Sequence, residues 1–402
     1  MQQRSIVRLG VPLAVAALAL SACGSRDAGT TSTAGSGTKT VKIGVIAPLS
    51  GGLSALGLGI KNSVDLAIKQ ANETNAVPGW KFELAAQDDE AKAEVGKNAA
   101  TKLSSDDAVL GVVGTLNSSV AQQTMPVLAA ANIAQVSPAN TNPTLTQGAD
   151  AAAKKRPYTN YFRTCTTDAV QGPFAAQYLL GEGIKKVATV HDKKSYGQGL
   201  VTEFTKAFES GGGTVVAAET INPDDKNFSA VISKVKGAGP EALYYGGEYP
   251  QAGPLSKQMK AAGLKVPLMG GDGIFSGEFI KLGGTDGDLA TSVGAPVETL
   301  DSAKTFVEGY KAAGFSEGYE AYGAYSFDAA NAIIQALKVS LASATDAKSA
   351  REATIKAMAS VSFDGATGKV AFDEFGDSVS RVLTVYAVTD GAWAAKKTGS
   401  LK

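Results

Sequence analysis

The chain has 402 residues, 44% of them hydrophobic and 19% charged, with 38 basic and 38 acidic side chains and a formal net charge of zero. That is long for one domain, suggests two plus extras, and supplies apolar material for a sizeable core. The balanced charge excludes the basic footprint of a nucleic-acid surface; without residues 1–22, which hold Arg4 and Arg8 and no acids, 36 basic face 38 acidic residues, a net of 2 negative.

Arg4 and Arg8 precede Val11 to Leu20, an apolar run of ten residues. A helix of that length is too short to span about 30 Å of hydrocarbon, so residues 1–22 read as a signal peptide. Leu20-Ser21-Ala22-Cys23 resembles the lipobox of bacterial lipoproteins. The resemblance implies cleavage before Cys23, lipid attachment at that residue, and an extracytoplasmic chain held to the cell membrane by its lipid anchor. An ordinary secretory signal beside a chance cysteine is the alternative. Residues 23–40 are rich in Gly, Ser and Thr without apolar periodicity, the composition of a flexible linker with a reach of roughly 20 to 25 Å. With Cys23 lipidated, Cys165 is the only thiol left, so no intrachain disulfide is expected and Cys165 reads as a buried small hydrophobe.

From Val41 the chain alternates strand and helix. Val41 to Pro48 predicts a strand, then a Gly-containing loop leads into a helix from about Leu58 to Asn72, with Ile60, Val64, Ala67, Ile68 and Ala71 on one face. Strands are expected at Lys81 to Ala86, Val109 to Gly114 and Ile133 to Val136, with helices at Glu94 to Leu103 and Ala121 to Ala131. Lys154 to Tyr161 is polar and reads as a connection, after which the rhythm restarts. Helices are expected at Gln171 to Leu180, Gly199 to Glu209, Phe228 to Lys236 and Gln251 to Ala262. They alternate with strands at Val187 to Val190, Thr214 to Glu219, Ala242 to Tyr245 and Val266 to Met269. Further helix is expected at Ala303 to Ala313 and Tyr322 to Leu341, and strand at Lys369 to Phe372 and Val382 to Val388. Repeated βα units predict parallel sheets covered by helices, here as two lobes.

Polar loops beyond strand ends are the candidate sites, since ligands of open parallel sheets bind in that crevice. Asn117-Ser118-Ser119 opens a helix, whose free N–H groups favour an anion, and Ser137 to Thr141 adds hydroxyl and backbone donors. Together they suit a carboxylate, although Ser118 and Thr141 are equally the residues that cap helices. Glu248 and Asp272 follow glycines that let a ligand approach the backbone, with Tyr249 adjacent, and they suit an ammonium; singly, each is also an ordinary solvated turn acid. A carboxylate loop facing an ammonium loop selects a zwitterion. Catalysis is not expected: His191, the only histidine, has no nucleophile with an oriented partner, and there is no Walker lysine motif, no GxGxxG after a strand and no His/Cys cluster for a metal. No cofactor is expected.

VKIGVIAPLSG (Val41 to Gly51), VATVHDKKSYGQGL (Val187 to Leu200), YYGGEYP (Tyr244 to Pro250) and AAGLKVPLMGGDG (Ala261 to Gly273) resemble, in order, the Leu/Ile/Val-binding family of ABC importers. The resemblance implies a type I periplasmic-binding-protein fold, α/β, with two doubly wound parallel-sheet lobes joined by a three-crossover hinge. Residues 41–165 and 295–375 are then lobe 1, and residues 166–294 and 376–402 lobe 2. It also implies amino-acid capture and delivery to an ABC permease and ATPase complex by a monomeric binding protein. Ser118, Ala139 and Thr141 fall on the clamp for the ligand carboxylate, Asp272 on the acid for its ammonium, and Tyr196 on a cleft tyrosine. Glu248 stands where a tyrosine is typical, Leu56 replaces an aromatic, and Asn117 occupies a cysteine position of the family's disulfide. These departures bear on which side chain is admitted. A binding or sensor protein of the same fold for an amide, urea or aromatic acid is the second reading.

Overall fold

The computed structural model describes residues 38–150 and 152–401. The signal peptide, nearly all of the linker and Cys23 lie outside the described residues. The first sheet holds β1 (Lys39–Ala47), β2 (Trp80–Asp88), β3 (Val109–Gly114), β4 (Ala134–Ser137) and β5 (Tyr161–Arg163). Its order is β2-β1-β3-β4-β5 and every pairing is parallel. All six residues of β3 are buried, which is why it reads as an unbroken apolar run rather than an alternating one. Helices α1 (Ser54–Glu73), α2 (Ala93–Ser104), α3 (Ser118–Ala130) and the short α4 (Thr144–Gln147) follow the strands of this sheet.

The second sheet is built from β6 (Lys186–His191), β7 (Thr214–Thr220), β8 (Ala242–Gly246), β9 (Leu268–Gly270) and β10 (Leu289–Ser292). Between and before them run α5 (Asp168–Gly181), α6 (Ser195–Ser210), α7 (Ser229–Ala238), α8 (Tyr249–Ala261) and α9 (Gly277–Leu282). The chain then returns to the first lobe with α10 (Lys304–Ala313), α11 (Gly323–Ser340), α12 (Arg351–Met358) and a hairpin of β11 (Ser362–Gly365) and β12 (Gly368–Ala371). It finishes in the second sheet with β13 (Val382–Thr389) and β14 (Ala392–Ser400). The order is β14-β13-β10-β9-β8-β6-β7, parallel from β10 to β7 and antiparallel from β10 to β14.

Three crossings between the sheets follow: after β5, after β10 and after β12. The lobes match the expected α/β fold with one correction, that the second sheet is mixed. The chain re-enters from the first lobe at β13, antiparallel to β10, and β14 joins β13 as the edge strand through a tight hairpin turn, which needs no helical crossover. The stretch read as a connection ends in β5, a three-residue strand too short for periodicity to register. The strand expected near Lys369 pairs in the small hairpin and joins neither large sheet.

Candidate functional site

In the first sheet β1 lies between β2 and β3, and in the second β6 lies between β7 and β8. The strand order reverses direction at those pairs, which opens a crevice beyond their C-terminal ends. Leu56 comes from the segment after β1, Leu116 and Asn117 from the loop after β3, and Ala139 from the loop after β4. Tyr196 follows β6, Glu248 follows β8, Asp272 and Gly273 follow β9, and Tyr322 precedes α11. These nine residues line one cavity. It is narrow, with room for little more than one water molecule. A larger hollow, with about 760 Å³ admitting water, is an open surface trough along α6 and β7 that includes His191. Of the two, the smaller cavity collects buried polar groups from both lobes, so it is the candidate site.

Asp272 sits at its centre. Its Oδ1 accepts from Tyr196 Oη at 2.8 Å and Gln171 Nε2 at 2.9 Å, and its Oδ2 from Tyr322 Oη at 2.9 Å. All three partners are neutral, and no basic side chain pairs with Asp272 among the described residues. Burial pushes this carboxyl up from its ordinary range, and the three hydrogen bonds draw it part of the way back. Gln171 is held in turn, since its Oε1 accepts from the Asp272 N–H at 2.9 Å and from Thr291 Oγ1 at 2.7 Å. Gln171 Nε2 also donates to Asp168 Oδ1 at 3.2 Å, so the amide bridges two buried acids. Burial, then the Asp272 charge, raises Asp168 to about 8. Glycine is required at 271, because a Cβ there would stand 2.4 Å from Tyr196 Oη.

Two buried hydroxyls of the first lobe are unmet. Ser118 Oγ and Thr141 Oγ1 are buried without a hydrogen-bond partner, and neither caps a helix. Both lie beside lining residues rather than on the cavity wall itself. Thr141 is near enough to Asp168 to oppose its upward shift, but not in hydrogen-bonding geometry. The Ala139 N–H already donates to Ser137 Oγ at 3.1 Å, so that backbone donor is occupied.

Glu248 is not the free acid that its turn position suggested. Its Oε1 accepts from Asn117 Nδ2 of the facing lobe at 2.6 Å, and its Oε2 from Lys194 Nζ at 3.1 Å. Burial, then the Glu248 charge, raises the adjacent Asp192 to about 8, while Lys194 opposes the shift. Asn142 Nδ2 also crosses between the lobes to the Ser195 carbonyl at 2.7 Å. Of the six ligand residues expected from sequence, the structure brings Ala139, Tyr196, Glu248 and Asp272 to the cavity wall, whereas Ser118 and Thr141 do not line it. Tyr249 is buried but does not line the cavity, and Cys165 is a buried free thiol.

Sequence reasoning missed Asp168, Gln171, Thr291 and Tyr322. The spacing of Asp168 and Gln171 puts them on one face of α5, but nothing in their neighbourhood marks α5 as reaching Asp272.

A profile described as periplasmic binding protein matches residues 40–392. The chain belongs to that family. It is 32% identical over 360 residues to Leu/Ile/Val-binding protein homolog 3 of Brucella melitensis, covering 87% of this chain and 92% of that one. It is 33% identical over 348 residues to Leu/Ile/Val-binding protein BraC3 of Rhizobium johnstonii, covering 86% and 91%. The crystal structure of a leucine binding protein, LivK, of Thermotoga maritima superposes with a TM-score of 0.79 at 28% identity, over 89% of this chain and 98% of that chain. A solute binding protein of R. palustris in complex with benzoate has the same fold, with a TM-score of 0.78 at 22% identity, over 90% and 96%.

Proposed function

We propose that the protein is an extracytoplasmic substrate-binding protein of an ABC importer, which closes its lobes around an α-amino acid and delivers it to a membrane permease. The observation that carries this reading is Asp272, a buried carboxylate in the cleft with three neutral donors and, among the described residues, no cation. A carboxylate has room for about four hydrogen bonds, so Oδ2 retains a position for an ammonium. The orphaned hydroxyls of Ser118 and Thr141, beside the N-terminus of α3, supply the complement for a carboxylate. In this reading Cys23 carries the lipid anchor, and Ala139 and Tyr196 shape the cavity between the two clamps. The names of the relatives favour a branched-chain or similar amino acid.

Calorimetry with leucine and with 4-methylpentanoate, the same molecule without its amine, tests the reading. A charge-assisted bond contributes roughly 1.5 to 3 kcal/mol, so the acid is expected to bind about 10- to 150-fold more weakly, and Asp272→Asn to weaken leucine by a similar factor. Equal affinity for acid and amino acid sinks the zwitterion reading and favours an acid or amide ligand. Mass spectrometry of the protein from membranes tests the anchor: an unmodified Cys23 in the mature chain refutes it.

A further inference from the structure

We infer that the side-chain half of this cavity selects a neutral hydrogen-bond donor, a hydroxyl or a carboxamide, over an aliphatic group; the inference rests on the amino-acid reading above. The decisive group is Asn117, 3% exposed, on the cavity wall. Its Nδ2 donates across the cleft to Glu248 Oε1 at 2.6 Å. A carboxylate only accepts, which fixes the orientation of the amide and leaves Asn117 Oδ1 as an acceptor on its other edge. That oxygen is buried and has no partner. The Asn117 side chain does not cap α3 either.

The ligand's α-carboxylate carries only acceptors, and its α-ammonium has three donors, of which Asp272 takes at least one. The ligand side chain is the donor assigned to Asn117 Oδ1, which is the assignment that the pairs below test. An acidic side chain is repelled, because it would bring a further acceptor against Asn117 Oδ1 and Glu248. A cationic one gains little, because the Glu248 charge is already matched by Lys194 at 3.1 Å. Burial and the Glu248 charge, which push Asp192 towards its neutral form, further reduce any excess of negative charge at this end. Leu56 and Leu116 complete the wall with apolar contact. The class selected is therefore small α-amino acids with a neutral polar side chain.

The test is calorimetry on the purified protein with two near-isosteric pairs, threonine against valine and asparagine against leucine. A site that leaves a buried acceptor unmet rejects the aliphatic member. Threonine and asparagine are expected to bind at least about tenfold tighter than their partners, a preference that Asn117→Leu abolishes. If valine and leucine bind as well as or better than threonine and asparagine, while 4-methylpentanoate still fails, the inference is overturned and the amino-acid reading stands. If none of the four amino acids binds more tightly than 4-methylpentanoate, both are overturned. The wild-type comparison decides the matter even where Asn117→Leu fails to fold.

Discussion

Replacing Arg163 with methionine should cost about 3 to 5 kcal/mol of stability at neutral pH, because it strands a buried acid. Arg163 is fully buried at the end of β5, and its Nε donates to Asp377 Oδ1 at 2.7 Å. Its Nη1 donates to the carbonyls of Asn140 at 2.6 Å and Asn142 at 3.0 Å, and its Nη2 to Thr146 Oγ1. The guanidinium thus ties the third crossing to the loop that presents Thr141. Burial alone would raise Asp377, but the Arg163 charge, with hydrogen bonds from Gln147 and Arg163, outweighs it and holds the carboxyl below its ordinary value. The sign follows from linkage: a depressed carboxylate contributes stability above its unfolded pKa of about 4, which is lost as pH falls through the folded value. Without Arg163, burial dominates and Asp377 protonates at higher pH, so the cost of the substitution should shrink between about pH 7 and pH 4.5. Urea unfolding followed by circular dichroism at both pH values measures it. A cost below about 1 kcal/mol at pH 7, or one that grows towards acid, refutes the reasoning. Removing both charges with Arg163→Met and Asp377→Asn should recover part of the loss.

Asp168 titrates the other way. Its folded pKa of about 8 lies above the unfolded value near 4, so its ionisation costs stability increasingly as pH rises through that window, and Asp168→Asn should stabilise the ligand-free protein more at pH 8 than at pH 5. Equal effects at the two pH values refute this. Cys165 is fully buried, and burial raises its thiol well above the ordinary range, so thiol reagents should label it only at the rate of unfolding. Fast labelling under native conditions would show that the hinge region opens.

The βα rhythm carried most of the fold, because buried parallel strands such as Val109–Gly114 are dense apolar runs and helices such as Ser54–Glu73 have one apolar face. Strands β5 and β10, of three and four residues, were missed because so few positions establish no period. The exposed, lysine-bearing β14 was missed because it is an edge strand with no buried face to pattern it. For the site, position after a strand end singled out Asp272 and Glu248, and both line the cavity, since topology determines where such loops gather. What the two acids meet was not readable. Asp272 meets neutral donors from α5, α6 and the approach to α11, and Glu248 meets Lys194 and an asparagine 131 positions away. Asn117 and Tyr322 depend on how the two lobes face each other, and Gln171, Tyr196 and Lys194 on packing within the second lobe, neither of which a local pattern encodes.

The arrangement across the cleft also dictates why ligand and closure should be coupled. With the lobes in contact through Asn117 to Glu248 and Tyr322 to Asp272, the cavity admits little more than one water, and Ser118 Oγ, Thr141 Oγ1 and Asn117 Oδ1 go unmet. At roughly 1 to 3 kcal/mol for each buried polar atom without a partner, three of them disfavour the closed, empty form by several kcal/mol. Opening brings water to the Asn117 and Asp272 groups that line the cavity. A ligand that supplies a carboxylate, an ammonium and a donor satisfies the same atoms only in the closed form, and such differential contact is what shifts a two-state equilibrium. Ligand-free protein should therefore be measurably more expanded in X-ray scattering than protein saturated with its tightest amino acid. Identical radii of gyration in the two samples would mean that the empty cleft tolerates its unmet groups, and that the ligand is not what closes it.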